Sequence, residues 1–324
     1  MIESIRASLG TAVVLGLKKG AIPEPPTTAY LMVGEKCINN CAFCTQARES
    51  GSEANMLSRI TWPTYGREEV VDALKTGKGR FARICFQCLD DPEMLEDLPG
   101  LVKGVIEVTS LPVSVSIVPV SEKLLRDLKS AGAERIGIAM DASSPEIFDR
   151  IKGVGAGNPY DFSNHRKALL RSVRIFGKGR VSTHIIVGLG ESDRDVVDLL
   201  RWCRREGILP SLFAYTPMKG AKKVGIPPPI GRYRTLQLIR HMLLDPDRDP
   251  DPEFDENGKI INLDVGESDL VEEGRTIFMT RGCPGCNRPY YNERPGGVIF
   301  NYPRPLSEEE ISKAITDVEA YVGE

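Results

Sequence analysis

At 324 residues the chain can bury a full core, as one large domain or two ordinary ones. A hydrophobic share of 41% with 27% charged residues fits a soluble globular protein, and no run of 18 apolar residues suggests a membrane span. The net charge of -3 gives no reason to expect a nucleic-acid partner.

The first twenty residues lack a basic segment followed by an apolar one. Val13, Val14 and Leu15 followed by Lys18 and Lys19 predict a short amphipathic helix rather than a signal peptide. Residues 30–33 read as the first strand, and Cys37, Cys41 and Cys44 follow it directly. Further short apolar runs predict strands at 82–86, 113–118, 135–140, 183–187 and 211–215, with weaker ones at 260–263 and 276–279. Amphipathic stretches separate them, which implies a parallel sheet with crossover helices. Ser121 ahead of Leu124, Leu125 and Leu128 starts one helix, and Gly132 closes it. Ser144-Pro145-Glu146 starts another with a cap, a proline and an acid. Residues 219–231 and the acidic, proline-rich 245–258 read as exposed connections. Eight strands predict an α/β fold of the (β/α)8 TIM type, complete or nearly complete; six strands with a looser C-terminal part is the alternative. The expected division is a helical extension at 1–27, the barrel at 28–282, and at 283–324 a metal-ligand tail and helix packed on the barrel mouth.

Seven of the eight cysteines fall in three groups, 37/41/44, 85/88 and 283/286. That clustering is metal-ligand spacing and predicts a reducing, cytoplasmic setting rather than disulfides. Cys203 continues the apolar face of Val196, Leu199 and Leu200, so it belongs to the core. Three thiolates spaced C-x3-C-x2-C can hold three irons of a [4Fe-4S] cubane and leave the fourth open to a small molecule. A zinc knuckle would want a fourth Cys or His nearby, and His165, His184 and His241 are all distant in sequence. The pairs Cys85/Cys88 and Cys283/Cys286 end the second strand and follow the eighth. In a closed barrel both would open beside the first strand. Four thiolates there read as a second iron–sulfur cluster or a zinc site.

The cysteine triplet, with Phe43 just before Cys44, resembles the radical S-adenosylmethionine (SAM) superfamily. The resemblance implies a cluster that chelates SAM, with Phe43 lining the adenine pocket. Leu89-Asp90-Asp91-Pro92 stands where many members have the Gly-Gly-Glu-Pro loop that receives the SAM amino group, usually through backbone carbonyls; Asp91 takes the place of the Glu among the implied cofactor contacts. Met140-Asp141-Ala142-Ser143 resembles the Leu-Asp-Thr-Ser run of biotin synthase, which assigns Asp141 to the ribose hydroxyls; Ala139 replaces an Asn of that family. Gly188, Gly190 and Glu191 match the G-x-G-E run that supports the adenine or the adjacent helix. The segment from Arg281 to Gly297, with Arg288, Tyr290 and Arg294, resembles the tail of biotin-synthase-related proteins that include the split, two-protein lipoyl synthases. That likeness implies sulfur insertion into an octanoyl chain on a lipoyl carrier protein. It also implies a homologous partner synthase, a low-potential electron donor and no catalytic group beyond the cofactor ligands. The alternatives are sulfur insertion into a free small molecule, as in biotin synthase, and a radical SAM enzyme with structural zinc. A non-catalytic iron–sulfur carrier is a third.

Overall fold

Alternating strands and helices build a curved parallel wall. The computed structural model describes residues 2–77, 80–245, 247–264, 273–293 and 296–323. The chain opens with strand β1 (Ser4–Ala7) and helix α1 (Leu9–Val14), then β2 (Thr28–Val33). A small hairpin of β3 (Met56–Leu57) and β4 (Ile60–Thr61) precedes β5 (Thr64–Gly66) and α2 (Arg67–Thr76). Strand–helix units follow as β6 (Arg83–Cys88), α3 (Pro92–Thr109), β7 (Val113–Ser116), α4 (Glu122–Ser130) and β8 (Ala133–Gly137). Next come α5 (Pro145–Lys152), α6 (Phe162–Phe176), β9 (Val181–Val187), α7 (Asp193–Glu206), β10 (Ile208–Ala214) and α8 (Ile230–Leu244). Ser121 and Ser144 cap α4 and α5 as their sequence positions predict.

The sheet order is β10-β9-β8-β7-β6-β2-β1-β5. From β2 to β10 every neighbour pair is parallel, while β1 and β5 add antiparallel strands beyond β2. The fold is α/β and of the TIM type, as expected, but among the described residues it takes the six-strand form given as the alternative rather than eight parallel strands. The two weaker strand candidates do not join the wall. Strand β12 (Ile260–Asn262) pairs only with β11 (Glu253–Phe254), in a separate hairpin. Residues 273–277 are helical, and Met279 makes one isolated bridge to Tyr302. The run Ile277-Phe278 is apolar because it is buried in a second core with Leu238, Leu306 and Ile311. A short apolar run does not tell strand from buried helix.

Two further expectations change. The N-terminal extension contributes a strand, β1, as well as a short helix. The last helix, α9 (Glu308–Gly323), packs on α8 outside the wall rather than on the mouth. At that crossing a Cβ added to Gly231 would stand 2.3 Å from the Asp317 carbonyl oxygen. Gly231→Leu is expected to lower stability by about 1–3 kcal/mol through overpacking, measured as the shift in the urea denaturation midpoint.

Candidate active site in the barrel lumen

Strand alternation sets the character of the interior. Leu31, Phe86, Val115, Ile185 and Leu212 face outward into the main core beneath the helices. Their neighbours Tyr30, Cys85, Gln87, Ser114, Ser116, Ser182, His184, Ser211 and Phe213 line a lumen cavity of about 40 Å³. A filled TIM interior uses bulky branched residues; small polar groups here leave a chamber instead.

The gap between β10 and β2 is covered by the tail. Asn301 donates to Leu212 O at 3.4 Å, and the Asn292 amide donates to Ala214 O. On the other side Asn287 Oδ1 accepts from Thr27 N at 3.0 Å and its amide donates to Pro25 O at 3.0 Å. Held this way, the tail sends Cys283 and Cys286 into the lumen beside Cys85. Ser114 Oγ lies 3.1 Å from Cys283 Sγ, Tyr30 OH lies 3.2 Å from Cys286 Sγ, and Gln87 Nε2 donates to Cys85 Sγ at 2.9 Å. Cys88 is not among them: it lies on the opposite face of β6, against the outer core. The expected four-thiol set is therefore a set of three.

Arg288 enters the sequence reading only as part of the tail resemblance, with no role of its own, and the structure makes it a central residue. Its guanidinium carbon sits 3.9 Å from the Tyr291 ring centre and 5.2 Å from that of Phe213, and Nη2 donates to Gln87 Oε1 at 3.1 Å. Burial pushes the Cys85 thiol up to about 12, with Cys283 as a like neighbour and Arg288 opposing. His184 is driven down to about 3 by burial and by Arg288, so its ring is neutral; it stacks edge-on against Phe213. Arg294 lies outside the described residues.

The cluster loop leaves the C-terminal end of β2. Arg6 fastens it through Gly34 O at 2.6 Å and Gln46 Oε1 at 3.2 Å. Asp90 accepts from Asn39 at 2.8 Å and Tyr160 at 2.7 Å, and Asn158 Oδ1 accepts from Asn40 N at 2.6 Å. Burial raises the thiol pKa of Cys37 and Cys41 and pushes Cys44 up to about 12; Cys37 raises both of the others, and Cys44 raises Cys41. Such thiols ionise only against nearby positive charge. Among the described residues no three Cys, His, Asp or Glu groups converge enough to share one ion. A cubane sends each thiolate to a different iron and needs no such convergence.

Above the lumen lies a mouth cavity of about 120 Å³ lined by Phe43, Cys44, Asp141, His184, Arg288 and Tyr291, among others. Asp141 reaches it from a left-handed backbone, φ 63°, locked by bonds to His184 O and Ile186 N at 2.8 Å. Its carboxylate is already held by the buried Lys152 ammonium at 2.6 Å. Nothing in the sequence singled out Lys152, which reads as an ordinary basic residue in the last turn of α5.

The other expected SAM contacts are engaged elsewhere. Asp91 caps α3, accepting from Met94 N at 3.3 Å, and pins Glu35 N at 3.0 Å; it does not line the mouth cavity. Glu191 folds back on Gly188 N at 2.7 Å and Leu189 N at 2.8 Å and pairs with Arg232 at 3.1 Å. Gly188, at φ 109°, leaves room for the Ile226 carbonyl, 2.4 Å from where a Cβ would be. Gly190, at φ 107°, belongs to the same turn, so the G-x-G-E run has a structural role.

A family model described as "Radical SAM superfamily" matches residues 31–203. The chain is 27% identical over 199 residues to a biotin synthase of Persephonella marina, covering 58% of this chain and 55% of that protein. It spans about half the length of the curated relatives it matches. Among solved structures, methylornithine synthase aligns at TM-score 0.51 with 18% identity, over 67% of this chain and 62% of that one. The FeFe-hydrogenase maturase HydG from Carboxydothermus hydrogenoformans aligns at 0.53 with 18% identity, over 67% and 50%. At such identity these likenesses speak to the fold alone. Among the described residues no helix is long and apolar enough to cross a membrane.

Lys152→Met would leave the Asp141 carboxylate buried without its partner. A loss of about 3–5 kcal/mol is expected, read by urea denaturation of the metal-free chain, with part of it recovered in the double variant Lys152→Met/Asp141→Asn.

Proposed function

The chain belongs to the radical SAM superfamily, and within it we propose a sulfur-inserting enzyme that acts on unactivated C–H bonds of an octanoyl chain on a lipoyl carrier protein. One observation carries this reading: three further thiols, Cys85, Cys283 and Cys286, meet in the lumen next to a cavity bordered by the last cysteine of the cluster loop.

The triplet fits a cubane, since three desolvated thiols on one fastened loop require positive charge to ionise. Cys37, Cys41 and Cys44 would hold it, and when bound with SAM it supplies the one-electron cleavage that activates an aliphatic C–H bond. Phe43 borders the neighbouring cavity and would cover the adenine; Asp141, fixed by Lys152, would take the ribose hydroxyls. Cys85, Cys283 and Cys286 would hold a second iron–sulfur cluster, the proposed source of sulfur. A structural zinc site closes with four protein ligands, so the separation of Cys88 from the group favours a cluster. Arg288 keeps a fixed positive charge beside these thiols, and the rings of Tyr291 and Phe213 shield it from water.

A homologous partner adding the other sulfur and a low-potential electron donor complete the proposal. The likeness to a biotin synthase supports sulfur chemistry and keeps a free small-molecule substrate as the second reading.

Anaerobically reconstituted protein, given SAM, reductant, the octanoylated carrier and the partner synthase, is expected to add sulfur to the carrier, detected by mass spectrometry. Sulfur added only to a small molecule would favour the second reading. Cys37→Ala, Cys41→Ala or Cys44→Ala should abolish SAM cleavage. Cys85→Ser, Cys283→Ser and Cys286→Ser should cleave SAM, lose about four irons per chain and form no C–S bond. Cys88→Ser should keep both its iron and sulfur insertion. Sulfur insertion by Cys283→Ser at the unaltered rate would overturn the donor assignment.

A further inference from the structure

Beside the lumen lies another cavity, of about 220 Å³, at the lateral gap of the partial barrel. Both sides of the gap contribute to it. Leu9 comes from the start of α1, Ile22 and Pro23 precede β2, Ile60 and Trp62 belong to β4 and the residue after it, and Tyr290 is in the tail. Two charged residues, Glu24 and Arg288, line it, and both are engaged by other groups. Glu24 pairs with Arg304 at 3.3 Å. Arg288 is covered by the rings of Tyr291, Phe213 and Tyr30.

The inner end of this cavity is shared with the reaction chamber. Arg288 borders the lateral, mouth and lumen cavities alike; Tyr30 is common to the lateral cavity and the lumen, and Tyr291 to the lateral cavity and the mouth. The three spaces differ in chemistry. The mouth offers Asp141, Arg288 and Asn292 to a polar ligand, and the lumen offers thiols and serines. A charged or polyhydroxylated ligand in the lateral cavity would find few free partners, since Glu24 is paired with Arg304, Arg288 is stacked on rings, and of the lining side chains only Trp62 offers a buried donor, Nε1, without a partner. A hydrocarbon chain needs none, and its far end would lie against residues that wall both cysteine-bordered spaces.

Building on the sulfur-insertion reading above, we propose that the lateral cavity receives the aliphatic chain of a medium-length acyl substrate. The chain comes in from the side of the barrel, between the segment before β2 and the tail. The mouth is thereby left to the polar cofactor.

The test is calorimetric titration of the full chain, under anaerobic conditions, with Nε-octanoyl-lysine amide and its hexanoyl and butanoyl analogues. Burial in an apolar cavity predicts roughly fourfold tighter binding per methylene, about 15-fold from hexanoyl to octanoyl. Leu9→Asp and Ile22→Asp alter partly exposed positions and are expected to weaken octanoyl binding at least tenfold and flatten the chain-length dependence. The series on the unaltered protein needs no variant, so misfolding of a variant does not protect the proposal. Affinity independent of chain length, or no binding at all, would overturn it. So would octanoyl binding by both variants equal to that of the unaltered protein. Failure of the sulfur-insertion reading looks different: the octanoyl compound binds with the expected length dependence, yet the acylated carrier gains no sulfur.

Discussion

The six parallel strands of this sheet do not close on themselves, and the rest of the molecule depends on how the open edge at β10 is covered. An exposed edge presents unpaired carbonyls and amides. Here side-chain amides satisfy two of its carbonyls: Asn292 and Asn301 bond Ala214 O and Leu212 O, while Asn287 ties the same tail to Pro25 and Thr27 across the gap. A regular strand would do this with a ladder and would then be confined to strand geometry. The irregular tail is not. It places Arg288 and Tyr290 at positive φ, and it brings in two thiols, a guanidinium and an aromatic ring from one short segment.

The second constraint is electrostatic. Six thiols, three on the cluster loop and three in the lumen, stand close to one interior with few fixed cations. Lys152 faces the cluster-loop side and Arg288 the lumen side, and each opposes the burial that raises nearby thiol pKa values. Each is held by neighbours that leave it little freedom, Lys152 by Asp141 and the Ala139 carbonyl, Arg288 by Gln87 and three rings. The cluster loop is fastened with comparable care. Its polar shell of Arg6, Asp90, Asn158 and Tyr160 comes from three separate parts of the chain. Such a frame keeps the loop geometry fixed before any ligand binds, which is the condition for precise positioning of reacting atoms.

Much of this was legible in the sequence, for definite reasons. The six wall strands carried apolar outward faces, and the helix starts carried Ser caps that accept the backbone bonds expected of them. The position of the cysteine triplet after the first wall strand followed from chain order. What could not be read was anything set by contacts distant in sequence. Lys152 looks like a surface helix residue and is buried because Asp141, eleven residues back, turns toward it from a left-handed backbone. Asp91 and Glu191 occupy positions that resemble ligand contacts, yet their carboxylates are used by helix and turn backbone. The run Ile277-Phe278 is apolar enough for a strand, but its burial comes from α8 and α9.

The two C-x2-C pairs show how spacing acquires meaning only through local conformation. Cys85 and Cys88 lie on one strand, where residues three apart point to opposite faces. Cys85 enters the lumen with Gln87, and Cys88 joins Ile84 and Phe86 in the outer core. Cys283 and Cys286 lie on a turn closed by the Cys286 N to Cys283 O bond of 2.9 Å, with Gly285 at φ 76°. That turn folds the same spacing back on itself, so both thiols reach the lumen. A motif search treats the pairs as equivalent, whereas backbone geometry makes one pair a joint donor and the other a single one. The lumen set of three thiols follows from that difference, and with it the preference for a cluster over a closed four-ligand zinc site.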